Sequence, residues 1–244
     1  GSGGVITLTN GNFVVSSPLW DSGSATDVGA VTWVNGSSGL NGVVSVSNSL
    51  FGRKANDSIG SSSVVALSNG NYVVISPIWD NDTLIDAGAV TWGNGDSGIS
   101  GAVSIGNSLI GKSGGAQVGS GGVTELHNGN YVVQSPKWPS ALSPNYGAVT
   151  WGNGNTGISG AVNESNSLIG SKQDDNVGAS PVILLSNGNY LVSSPDWDNG
   201  SAIDAGAVTW GNGNSGVQGA INLNNSLLGR KSADKSGETG VEVL

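Results

Sequence analysis

The stretch SNGNYVVISPIWDNDTLIDAGAVTWGNG, running from Ser68 to Gly95, is nearly restated elsewhere in the chain. Its opening, Asn69-Gly70-Asn71-Tyr72, recurs as Asn10-Gly11-Asn12-Phe13, Asn128-Gly129-Asn130-Tyr131 and Asn187-Gly188-Asn189-Tyr190, at a constant step of 59 residues. Trp20, Trp79, Trp138 and Trp197 keep that step, as do Trp33, Trp92, Trp151 and Trp210 and the Asn-Ser-Leu triplets that begin at Asn48, Asn107, Asn166 and Asn225. All 8 Trp are therefore repeat positions, and tryptophan serves something that every unit needs. A period of this length marks an architecture in which each unit buries its apolar face only against its neighbours.

Within a unit, turn chemistry separates four short apolar runs, which predict four strands. In the second copy these are Val64–Leu67, Tyr72–Ser76, Gly88–Trp92 and Ala102–Leu109. Asn69-Gly70 predicts a hairpin of type I′, because Asn and Gly tolerate the positive φ that this turn demands. In Phe13-Val14-Val15 and its copies, neighbours that point to opposite faces are both apolar, so this strand is expected to be covered on both sides. The run near Val44-Ser45-Val46-Ser47 alternates instead, as a wetter outer strand does. Four-stranded sheets stacked on like sheets predict an all-β propeller of four blades, approximately 3–59, 60–118, 119–177 and 178–236, in a single repeat domain spanning 1–244. The alternative is a β-solenoid, whose coils have no need of tight Asn-Gly hairpins. Residues 237–244 carry an extra copy of the first strand: Val241-Glu242-Val243-Leu244 is in register with Val5-Ile6-Thr7-Leu8. Either the array is longer than four units or this strand competes with Val5–Leu8 for a place in ring closure; an unpaired strand edge is a template, so the strand is expected to be either unpaired at the ring or engaged with another chain in self-association.

Composition narrows the function. The 42 Gly, with only 10% charged residues, form a strand-and-turn vocabulary poor in helix formers. With Lys+Arg 8 against Asp+Glu 17, the net charge of -9 repels a phosphate backbone, so nucleic acid is not expected as a partner. No apolar run approaches the roughly 20 residues of a membrane span, so insertion is not expected either. The absence of Cys excludes disulfides, thiolate chemistry and Cys-bound zinc.

The order Phe51-Gly52, Ser58–Leu67, Asn69-Gly70-Asn71-Tyr72-Val73-Val74-Ile75-Ser76-Pro77 and Gly88-Ala89-Val90-Thr91-Trp92 resembles the FG-GAP repeat of integrin α-type β-propellers. The wording is also similar to repeats of large secreted, filamentous-haemagglutinin-like bacterial adhesins. That resemblance implies an extracellular or bacterial cell-surface protein that adheres to a glycan or a host-surface protein. The family's Asn-Gly-Asp-Gly hairpin binds calcium through carboxylates, as a hard cation requires. Here the hairpins read Thr9-Asn10-Gly11-Asn12, Ser68-Asn69-Gly70-Asn71, His127-Asn128-Gly129-Asn130 and Ser186-Asn187-Gly188-Asn189, without Asp or Glu. Neither a metal nor any other cofactor is expected.

Candidate chemistry is sparse. The one His, His127, replaces Thr9, Ser68 and Ser186 beside a turn, which reads as a polar turn residue rather than a base. Asp21/Asp27, Asp80/Asp86 and Asp198/Asp204 pair across one loop at a spacing of six, which suits loop capping better than a single active site; copy three has Pro139 and Asn145 there. No catalytic residue is assigned, and no enzyme is expected. The Trp-Asp loop, with Asp21, Asp80, Asp82 and Asp198, and the loop after Asn-Ser-Leu, with Arg53, Lys54, Lys172 and Arg230, are expected on the same side of a blade. Trp33, Trp92, Trp151 and Trp210 are expected to pack between blades. Trp20, Trp79, Trp138 and Trp197, with Asp21, Asp80 and Asp198, are the candidate ligand residues, because an indole covers the apolar face of a sugar while carboxylates accept from its hydroxyls. The same four rings would equally serve as plugs that shield the blade edges. The function expected is non-catalytic binding or adhesion, with a ligand-free spacer as the alternative.

Overall fold

The computed structural model describes residues 1–138 and 145–238. Pro139 and the terminal strand copy Val241–Leu244 lie outside the described residues. The fold is all-β, with one sheet for each of the four repeats, none closed on itself, consistent with four propeller blades.

The chain packs as two compact units of two sheets each. The first comprises Gly1–Gly119 with Asn153–Ala161, and the second Ser120–Gly152 with Val162–Leu244. In the first unit one sheet runs Gly4–Thr7, Phe13–Ser17, Ala30–Val34, Ser49–Phe51, all antiparallel. The second sheet runs Ser63–Ala66, Tyr72–Ser76, Ala89–Gly93, Ser108–Ile110 in the same way. In the second unit the order repeats as Gly122–Glu125, Tyr131–Ser135, Ala148–Gly152, Ser167–Ile169, and as Ile183–Leu184, Tyr190–Ser194, Ala207–Gly211, Ser226–Leu228.

Two local expectations are corrected. The run expected as one fourth strand, Ala102–Leu109, divides into Gly101–Ala102 and Ser108–Ile110. The cause is Asn107, whose Oδ1 accepts from Ser104 N at 2.9 Å while its Nδ2 donates to the Ala102 carbonyl, folding the intervening residues into a turn. Gly101–Ala102 then joins the sheet of the preceding repeat, running parallel to Ser49–Phe51 with Leu50 opposite Gly101. Gly160–Ala161 and Gly219–Ala220 do the same, so each of the first three sheets ends on a strand lent by the next repeat. The Asn-Gly hairpin forms, but not as type I′. Only Gly70 has positive φ, at 91°; Gly70 N donates to Leu67 O and Leu67 N to Asn71 O, the pattern of a type I turn followed by a left-handed glycine.

The central strands of the second and third repeats are covered on both faces, as their apolar runs predict, with all five positions of Tyr72–Ser76 and of Tyr131–Ser135 buried, whereas Phe13 and Val15 of the first repeat are only half-buried. Within the first unit, Val14, Val31 and Leu50 of one sheet meet Tyr72, Val74, Ala89 and Ile110 of the other. The second unit repeats this with Val132, Val149 and Leu168 against Tyr190, Val192 and Ala207. Burying a large apolar side chain in such a seam contributes about 1.5–3 kcal/mol, so the seams hold the repeats together.

Candidate functional site

Two groups of polar side chains recur with the repeat, one at the hairpin end and one at the charged-loop end. At the hairpin end, the carbonyl of Gly95 accepts three N–H groups from the repeat before it: Asn10 Nδ2 at 2.8 Å, Asn12 Nδ2 at 2.8 Å and Trp33 Nε1 at 2.8 Å. Gly154 receives the same set from Asn69, Asn71 and Trp92, and Gly213 from Asn128, Asn130 and Trp151. The Asn12 amide is used from both ends, since its Oδ1 accepts from Gly36 N. The glycine is obligatory, because a Cβ on Gly95 would lie 1.7 Å from the Gly70 carbonyl oxygen. The Asn-Gly-Asn hairpin therefore spends its side-chain amides on its own repeat and the next one. The asparagines donate to the next repeat's glycine carbonyl, the first of each pair also to the side chain of Asp96, Asn155 or Asn214, and the indole that was expected to pack between sheets also donates a hydrogen bond across the junction.

At the other end, the two charged loops of each repeat do lie together. Ser58 N donates to Asp27 O and Ile59 N to Val28 O, and in the second repeat Gln117 N donates to Asp86 O and Val118 N to Ala87 O. The carboxylate pairs close this loop: Asp21 Oδ1 accepts from Asp27 N at 2.8 Å, Asp80 Oδ1 from Asp86 N at 2.9 Å and Asp198 Oδ1 from Asp204 N at 2.9 Å. The left-handed φ of about 52° at Asp27, Asp86 and Asp204 fits such a capped turn. Lys172 Nζ lies 3.7 Å from Oδ2 of the half-buried Asp198.

A residue without a role in the sequence reading connects these loops. Asp57 is buried, and its Oδ2 accepts from Arg53 N and Lys54 N while its Oδ1 accepts from Asp80 N of the next repeat at 3.1 Å. Asp175 does the same with Ser171 N, Lys172 N and Asp198 N. Burial pushes both carboxyls above their ordinary value of 3.8, against the pull of these backbone N–H groups. The signal was in the sequence as Asp57, Asp175 and Asp234 at the repeat step. The same register holds Ala116 and, in the loop that follows it, Pro139 in place of Asp80. An alanine offers no carboxylate and a proline no N–H, so both halves of the link are missing together.

The candidate ligand residues divide. Trp79 and Trp197 are 5% and 4% exposed and belong to the sheet seams, so they are core plugs with no open ring face for a sugar. Trp20 and Trp138 are half-buried, and Trp20 meets Phe51 edge-on at 6.4 Å. Asp21, Asp80 and Asp198 each spend Oδ1 on a backbone N–H. Beside Trp79 an open hollow of about 250 Å³ is lined by Arg53, Lys54, Asp80, Asn81 and Asp82. Among the described residues no group of three or more His, Asp or Glu could hold a metal.

These features define an all-β tandem-repeat protein whose successive repeats are linked by a recurring set of side-chain hydrogen bonds. Its four units match a family described as a repeat of unknown function (DUF5650), at residues 7–61, 66–120, 125–179 and 184–238, and the chain belongs to that family. No curated protein matches it.

Proposed function

We propose that the chain is a non-catalytic structural segment, a stiff spacer assembled from DUF5650 repeats. The observation that carries this reading is the glycine carbonyl that gathers three donors at each successive junction, because it spends the repeat's distinctive asparagines and one of its two tryptophans on holding the next repeat. The likeness to FG-GAP repeats and to bacterial adhesins supports placing such a spacer on a bacterial cell surface, and that placement is part of the proposal. A second reading, binding of a glycan or host-surface protein, is favoured by the hollow beside Trp79, where the side chains of Arg53, Lys54 and Asp82 have no partner among the described residues. A glycan array probed with the chain separates the two. The spacer reading expects no binding above background. Dose-dependent binding that Lys54→Ala or Asp82→Ala abolishes, in variants that melt like the parent, would overturn it in favour of the second.

A further inference from the structure

The outer face of the fourth sheet has the composition of a seam, but no described residue covers it. Leu227 is 74% exposed, whereas its counterparts Leu50, Leu109 and Leu168 are all fully buried. Trp210 is 48% exposed on the same face. Among the described residues, Asn187 Nδ2, Asn189 Nδ2 and Trp210 Nε1 donate to nothing, although the equivalent trio in every earlier repeat converges on a glycine carbonyl. Among the described residues Ser226–Leu228 has no parallel strand beside it, whereas Ser49–Phe51, Ser108–Ile110 and Ser167–Ile169 each have one. Asp234 receives Arg230 N and Lys231 N on Oδ2, as Asp57 and Asp175 receive theirs, but its Oδ1 accepts from no described residue.

The first repeat carries the complementary groups, also unused. Gly36 stands where Gly95 does and its carbonyl accepts from no described residue. Asp21 N, the counterpart of Asp80 N, donates to no described residue. Gly42 and Val43, the counterparts of Gly101–Ala102, lie outside any strand, and Val44 N, the counterpart of the Val103 N that donates to Phe51 O, has no acceptor among the described residues. On the same face Phe13, Val15 and Phe51 are only half-buried where Tyr72, Val74 and Ile110 are buried. A hollow of about 140 Å³ lined by Val15, Val34, Leu40 and Val44 opens there.

We infer that the fourth repeat of one chain docks onto the first repeat of a second copy, in the arrangement that joins the first repeat to the second. Each missing partner on one face is present on the other. Asn187, Asn189 and Trp210 would meet the Gly36 carbonyl, Asp234 Oδ1 would meet Asp21 N, the Leu228 carbonyl would meet Val44 N, and Leu227 would enter the Val15 hollow. The contact joins unlike surfaces, so it repeats head to tail rather than closing as a symmetric pair. It is built from amides and apolar side chains between copies that each carry a charge of -9, so added salt strengthens it by screening their repulsion. This inference does not depend on the spacer reading, since a binding module would present the same two faces.

The test is sedimentation velocity over a range of concentrations. The wild type should grow in mass with concentration, and more so in high salt, while Trp emission shifts to the blue as Trp210 is covered. Leu227→Lys disables the fourth-repeat face and Val15→Lys the first; either should weaken association on the order of 100-fold and leave a monomer. Mixing the two variants should restore a 1:1 dimer and nothing larger, because each supplies the face the other lacks. Val44→Pro, which removes one N–H at an edge, replaces Val15→Lys if that variant melts early. A wild type that stays monomeric, or variants that fail to dimerise on mixing, would overturn the inference. Association that survives both substitutions would overturn it too and assign self-association to another surface, such as the terminal strand.

Discussion

The two ends of the repeat are joined to their neighbours by different chemistry. At the hairpin end the three successive junctions are alike, with two asparagine amides and an indole on one carbonyl, at donor–acceptor distances between 2.8 and 3.0 Å. At the charged-loop end the link is a buried carboxylate at Asp57 and Asp175, and Ala116 offers none. The hairpin end keeps its two asparagines, its indole and its glycine in all three junctions, because that glycine has no room for a Cβ; what varies there is peripheral, such as Asp96 where the later repeats have Asn155 and Asn214. The other end varies between copies and titrates. Register between repeats is therefore set at the hairpin end, and individuality among repeats resides in the charged loops.

The sharpest way to break this contrast is to remove the largest buried side chain at the charged-loop end. Trp79→Ala should cost about 3–5 kcal/mol in urea unfolding, as deletion of a fully packed aromatic does. Trp20→Ala should cost clearly less, because Trp20 is only half-buried. Equal losses would mean that the indole in this position contributes by something other than its place in the seam.

The second expectation isolates the hairpin lock. Asn71→Ala removes the Nδ2 bond to Gly154 O and leaves Gly95 N without its acceptor, and should cost about 2 kcal/mol. Asn189→Ala removes only the acceptor for Gly213 N, since Asn189 Nδ2 has no partner among the described residues. Its cost should be smaller by one hydrogen bond, about 1 kcal/mol. Identical losses would show that the bond to the next repeat's carbonyl contributes nothing.

Much of this was legible because a 59-residue period repeats every error and every truth four times. Tyr72–Ser76 emerged with its bounds as read, since an apolar run with no polar face permits only a doubly covered strand. The run 102–109 was misread because periodicity cannot register that Asn107 prefers its neighbours' backbone to the ladder. Parallel strand exchange was invisible for a related reason: Gly101–Ala102 is two residues long and pairs with a strand about fifty residues earlier. Trp79 was ambiguous because burial of an indole depends on what stands opposite, which here is the preceding sheet. Asp57 was overlooked because a carboxylate accepting only backbone N–H groups leaves no side-chain partner in the sequence to pair it with.

The smallest effect expected concerns pH, and it tests whether the two ends differ in kind. Burial holds Asp57 and Asp175 above 3.8, so the native state binds these protons more tightly than the unfolded chain does. Their contribution to stability is then fully present below the unfolded value and is lost as pH rises through the folded one. The melting temperature of the wild type should exceed that of Asp57→Asn/Asp175→Asn by more at about pH 4 than at about pH 7. Measuring both at about 0.5 M salt screens the long-range repulsion that the substitutions also change. Asn71→Ala, with no titrating atom in its lock, should keep a constant gap from the wild type across the same range. A gap for the Asp variant that widens with pH would mean that the three backbone N–H bonds outweigh burial, and that each carboxylate is held charged as an anion link between repeats.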